Sequence, residues 1–229
     1  MTATRRRGGS RGAWCCPAGA STCAIARRRS RCTSSAGSCG ARRTEAVSAR
    51  LFVAVALGGE DRAALAGWAA AAVGADAGLR VVGAAQLHLT LVFLGHRRLD
   101  EVAALAELVA LREGAPAPAL RTAGALWLPP RRPTVLAVAV EDLGGRLEAL
   151  YAGVWADLGA LGHEPPRRGL RPHVTVARVR RGWSAPAAPP HDPPARALRA
   201  EGLELVRSRL GGGPARYETL SRATFAAES

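Results

Sequence analysis

His88-Leu89-Thr90-Leu91-Val92-Phe93 places two polar residues at period two inside an apolar run, and the same grammar returns as His173-Val174-Thr175-Val176. Period two sends alternate side chains of a strand to one face. His88 and Thr90 are therefore expected to point one way, as are His173 and Thr175. Leu89, Leu91 and Phe93 on the first strand, and Val174 and Val176 on the second, are expected to face a core. A single histidine on a strand is an ordinary structural residue. Two matched copies are not, since 5 histidines in 229 residues give less than one His-x-Thr triplet by chance.

Working outward, the chain has room for one sizeable core, or for two small lobes packed as one unit. The formal charge is +14 and all 32 basic residues are arginine. The first 50 residues hold 11 arginines against the single acid Glu45 and carry most of that charge. The remainder is mildly basic, compatible with an anionic substrate. All five cysteines (Cys15, Cys16, Cys23, Cys32 and Cys39) lie in the same front segment. Their spacing fits neither a zinc site nor a disulfide framework, and no thiol nucleophile is available downstream. Residues 1–48, rich in Arg, Ser, Gly and Cys, read as a disordered extension or a mis-assigned start, with residues 49–229 forming the folded domain. A nucleic-acid tether or transit peptide are the other readings of that front, and no apolar stretch long enough for a membrane span follows it. A cytoplasmic monomer is expected.

Within the folded part, Leu51–Leu57 reads as a strand closed by Gly58-Gly59, and Glu60-Asp61 opens an alanine-rich helix to about Val73. A short strand near 79–82 precedes the first His-x-Thr strand, about 87–94, which Gly95 is expected to end. A helix from Leu99-Asp100 carries Val102, Leu105, Leu108 and Val109 as its stripe. Strands at 120–128 and 134–140, a helix at about 143–160 and the second His-x-Thr strand at 173–180 follow. Five prolines between 182 and 194 predict a loop with little regular structure. Strands at 198–207 and 215–225, joined by Gly211-Gly212-Gly213-Pro214, close the chain. The order predicts an α+β fold in which two sheets face each other across a cleft.

Two histidines supply what phosphoryl transfer to water requires: a base for the attacking oxygen and an acid for the leaving one, because imidazole titrates near neutrality. Thr90 and Thr175 can donate to non-bridging oxygens. No Asp, Glu or Cys stands at ligand spacing to either histidine, so neither metal nor cofactor is expected. His96, His163 and His191 read as surface residues. No phosphate-binding Gly-x-x-x-x-Gly-Lys loop, dinucleotide fingerprint or serine-hydrolase elbow is present.

From Arg50 to Phe225 the chain resembles the 2H phosphoesterase superfamily, and within it the bacterial and archaeal RNA 2',3'-cyclic phosphodiesterases, formerly called 2'-5' RNA ligases. The resemblance rests on Arg50-Leu51-Phe52-Val53-Ala54-Val55, the two His-x-Thr motifs with Arg171-Pro172 and Ala177-Arg178 around the second, Arg132-Pro133-Thr134-Val135-Leu136, and Ser208-Arg209-Leu210 with Gly213 and Tyr217. It implies a bilobal fold of two pseudo-symmetric antiparallel sheets facing a central cleft, with helices outside. It also implies metal-independent hydrolysis of an RNA terminal 2',3'-cyclic phosphate to a 2'-phosphomonoester. His88 would protonate the leaving 3' oxygen, His173 would activate water, and Thr90 and Thr175 would hold the phosphate. Arg178 matches a family arginine near the phosphate, although strict alternation turns it away unless the strand bulges. Phe52 and Phe93 are candidates to stack on a nucleobase, against a core role. Other readings are action on 2'-5' linkages or on small cyclic nucleotide phosphates, and a non-catalytic RNA-end binder.

Overall fold

The computed structural model describes residues 48–74, 76, 78–209 and 215–227. The expectations for residues 1–47, including all five cysteines, and for the glycine turn at 211–213 lie outside the described residues.

The chain runs β1 (Ser48–Leu57), α1 (Gly59–Val73), β2 (Leu79–Val81), β3 (Leu89–Arg98), α2 (Val102–Ala110), β4 (Leu120–Leu128), β5 (Val135–Asp142), α3 (Arg146–Ala160), β6 (His173–Val179), β7 (Ala197–Leu198), β8 (Ala200–Arg209) and β9 (Arg216–Thr224). The fold is α+β, a curled antiparallel sheet flanked by helices. By hydrogen bonding the strands form one path, β7-β4-β5-β6-β3-β1-β8-β9, with β2 added to β6. Leu89↔Val174 is the one described pair joining β3 to β6, a narrow seam between two otherwise extensive ladders. Among the described residues no helix is long and apolar enough to cross a membrane.

The core explains why these segments take these forms. Leu65, Trp68, Ala69 and Val73 of α1, Leu105, Leu108 and Val109 of α2, and Leu147, Val154 and Leu158 of α3 bury in one apolar cluster with Leu51, Val53 and Val55 of β1 and Val174 and Val176 of β6. The opposite face carries a separate small cluster of Phe52, Ala54 and Val206 packed with Tyr217. The three helices thus pack on one face of the sheet.

Two expectations about β3 are corrected. Gly95 does not end the strand: it adopts φ +73°, and pairing continues to Ser48↔Arg98 after an irregularity at Leu94. Phe93 does not face the core but is 67% exposed. The cause is a bulge, since Val53 pairs with Val92 and Ala54 with Thr90, leaving Leu91 unmatched. One extra residue inverts the alternation beyond it.

The proline-rich loop lacks regular structure as expected, but side chains fasten it. Asp192 accepts from the Ala125 N–H at 2.8 Å, and the Thr122 hydroxyl donates to the Pro194 carbonyl at 2.9 Å. Buried Asp61, in the first turn of α1, accepts from Arg196 Nε at 2.6 Å and the Arg199 N–H at 2.7 Å. Removing this carboxylate leaves the part-buried Arg199 N–H without a partner. Asp61→Ala is expected to cost about 2–3 kcal/mol, seen as a midpoint lowered by about 5–10 °C in thermal unfolding. Gly202 has a different constraint, because a Cβ there would lie 2.3 Å from the Ala223 carbonyl oxygen.

Candidate active site

The seam between β3 and β6 generates the site. Leu89 and Val174 pair there and are fully buried among the helices. Their neighbours therefore take the helix-free face. Continuing the antiparallel register by one residue sets His88 opposite Thr175 and Thr90 opposite His173, so each motif's histidine meets the other motif's threonine. Directly opposed side chains on one face stand about 5 Å apart at Cβ. The flanking strands keep the space open, since Thr90 pairs with Ala54, Thr175 with Ala137 and His173 with Ala139.

The ring tautomers are fixed the same way twice. His88 Nδ1 lies 2.8 Å from the Gln86 carbonyl oxygen, and His173 Nδ1 lies 2.7 Å from the Arg171 carbonyl oxygen. A carbonyl only accepts, so Nδ1 carries the proton and Nε2 is left to exchange one. The environments are unequal. Phe52 stacks on His88 with centroids 4.9 Å apart, and Tyr217 meets the same imidazole edge-on at 5.2 Å. Burial pushes the His88 pKa down from the ordinary histidine value. The Gln86 carbonyl opposes that shift, while the positive charges of Arg178 and His173 reinforce it.

Arg178 reaches this face through the bulge its position required. Leu136 pairs with Ala177 and Ala137 with Thr175, so Val176 is unmatched and the alternation inverts after it. The two motifs carry the same device at the same step, one residue after the threonine. Phe93 and Arg178, each five residues past its histidine, are thereby delivered to the site face. Arg178 Nη2 donates to the Tyr217 hydroxyl at 3.2 Å, linking β6 to β9.

His88, Thr90, His173, Thr175 and Arg178 are thus brought together. Phe52 shares their face but is 4% exposed, beneath His88 and Tyr217, whereas Phe93 has an open ring. The other histidines stand apart: His96 contacts the Ser48 hydroxyl, His163 lies 3.8 Å from Glu101, and His191 packs edge-on to Trp68. Among the described residues no three His, Cys, Asp or Glu side chains are grouped to hold a metal ion. Tyr217 entered the sequence reading only within the resemblance. Its contact with Arg178 spans 39 residues, which no local pattern reports.

This fold and this pair of strands define the 2H phosphoesterases, and the chain belongs to the 2'-5' RNA ligase superfamily, whose family model matches residues 60–212. Among solved structures, TT0787 of Thermus thermophilus is 31% identical, with 79% of this chain and all of that one aligned at a TM-score of 0.68. E. coli LigT complexed with 3'-AMP is 27% identical over 79% of this chain and all of its own, with a TM-score of 0.61. A third structure, described as a phosphoesterase, is 28% identical over the same shares, with a TM-score of 0.62. No curated protein sequence matches the chain. The protein is accordingly of the LigT-like phosphoesterase class, which acts on RNA and nucleotide phosphates.

Proposed function

We propose that the protein hydrolyses an RNA terminal 2',3'-cyclic phosphate to a 2'-phosphomonoester, without a metal, by acid–base catalysis between His88 and His173. The reading rests above all on two imidazoles, each anchored through Nδ1 to a backbone carbonyl, that share one face with a threonine pair and Arg178. In this reading Thr90, Thr175 and Arg178 hold the phosphoryl oxygens. His173 Nε2 takes a proton from the attacking water and His88 Nε2 gives one to the departing 3' oxygen. The open ring of Phe93 offers a stacking surface to a base upstream of the RNA end. The same reading treats the two ladders on either side of the β3–β6 seam as pseudo-symmetric lobes around one cleft.

The donor set supports metal independence, because the polar groups facing the seam are imidazoles, hydroxyls and a guanidinium. An oligoribonucleotide ending in a 2',3'-cyclic phosphate, incubated with EDTA-treated protein, is expected to yield only the 2'-phosphate product. Formation of the 3'-phosphate, or activity lost with EDTA and restored by zinc, contradicts the proposal. Small nucleotides are a second substrate class to assay in parallel, since structures of E. coli LigT include complexes with 3'-AMP, NADP+ and ATP.

A further inference from the structure

A cavity of about 130 Å³ opens beside His88, over β1, β8 and β9. Its floor includes Ala56 of β1, a small side chain whose register partner on β8 is Gly202. His88, Tyr217, Glu204, Thr219 and Arg222 are among the residues that line it. Glu204 Oε1 lies 3.4 Å from Arg222 Nη1, and Oε2 accepts from the Thr219 hydroxyl at 3.4 Å. A carboxylate offers about four acceptor positions, so two are left for a ligand. Arg222 is shared with Glu201, and Arg62 also lines the hollow, which keeps its overall charge near balance. The open acceptor positions of Glu204 suit a neutral group that carries hydrogen-bond donors.

We propose that this hollow receives the base of the terminal nucleotide, and that Glu204 selects a base carrying an amino donor, cytosine or adenine, over uracil. The assignment rests on the phosphodiesterase reading above, in which the phosphate sits at the His88–His173 seam. His88 is common to that seam and to the cavity lining, which puts the hollow next to a nucleoside carried on the phosphate. Cytosine and uracil have the same shape, but one offers N4–H donors where the other offers a carbonyl oxygen. A carboxylate accepts from the first and repels the second.

The test compares cytidine and uridine 2',3'-cyclic phosphates. Wild-type kcat/KM is expected to favour cytidine by about tenfold. Glu204→Gln, whose carboxamide can turn either end to the base, is expected to erase the preference. Ala56→Leu, which fills the hollow while keeping the Glu204 carboxylate, is expected to raise KM for both substrates by about tenfold or more. Calorimetric binding of 2'-CMP and 2'-UMP repeats the comparison without turnover. Equal kcat/KM and equal binding for the two bases, or unchanged KM values in Ala56→Leu, overturn the subsite while leaving the phosphodiesterase standing. Tighter Glu204-dependent binding of 2'-CMP with neither cyclic phosphate hydrolysed upholds the subsite and removes the reaction. Should Glu204→Gln fail to fold, the wild-type comparison and Ala56→Leu decide alone.

Discussion

Replacing His88 or His173 with alanine is expected to lower kcat/KM for a 2',3'-cyclic phosphate by about 10²–10⁴ in each case. The double variant should lose little more than either single one, because an acid and a base that act in one concerted transfer fail together. The two substitutions should differ in stability. His88 sits between Phe52 and Tyr217, so its removal also leaves a gap in a packed aromatic cluster. His173 is less enclosed and is tied down mainly by the Arg171 carbonyl. Thermal unfolding should therefore show a lower midpoint for His88→Ala and almost none of that loss for His173→Ala. Assays well below both midpoints separate lost chemistry from lost fold. Full activity in either variant at such a temperature ends the two-histidine mechanism.

The strands of this fold were legible because their period is local. Alternating apolar residues give β1, β3 and β6, and each helix is marked by a stripe or an acidic first turn. The histidine and threonine pairs could be placed on one face for the same reason. What period two missed is the pair of bulges. A bulge is a property of two strands in register, and a single strand's sequence does not contain its partner. A trace was present even so: consecutive apolar residues, Leu91-Val92-Phe93-Leu94 and Val176-Ala177, break the alternation one residue after each threonine. Reading an insertion at each break turns Phe93 and Arg178 to the site face, where the structure has them. Tyr217 and Glu204 belong to a different class of omission. They lie on strands whose pairing with the rest is fixed by closure of the whole sheet, and His88, beside which both line the cavity, lies far earlier in the chain.

That bulge makes Arg178 the residue through which the acid and base assignments can be measured. Burial lowers the affinity of His88 for a proton, and the Arg178 guanidinium lowers it further. Arg178→Met removes the charge while keeping an unbranched side chain. It is expected to lower kcat/KM by about 10²-fold, the usual loss for a group that stabilises developing charge on phosphoryl oxygens. The same substitution should move one limb of the pH profile upward. If His88 is the acid, it must be protonated to act, and activity falls as pH rises through its pKa. The high-pH limb of kcat/KM then begins below the ordinary histidine range in the wild type and shifts to higher pH in Arg178→Met. A bound phosphate offsets the guanidinium charge, so the corresponding limb of kcat lies at higher pH than that of kcat/KM in the wild type. If His88 is instead the base, the low-pH limb is the one that moves. Tyr217→Phe, which removes the hydroxyl that accepts from Arg178, should give a smaller shift in the same limb. A profile with neither limb displaced means that Arg178 does not act on His88, and the electrostatic coupling across the seam is then absent.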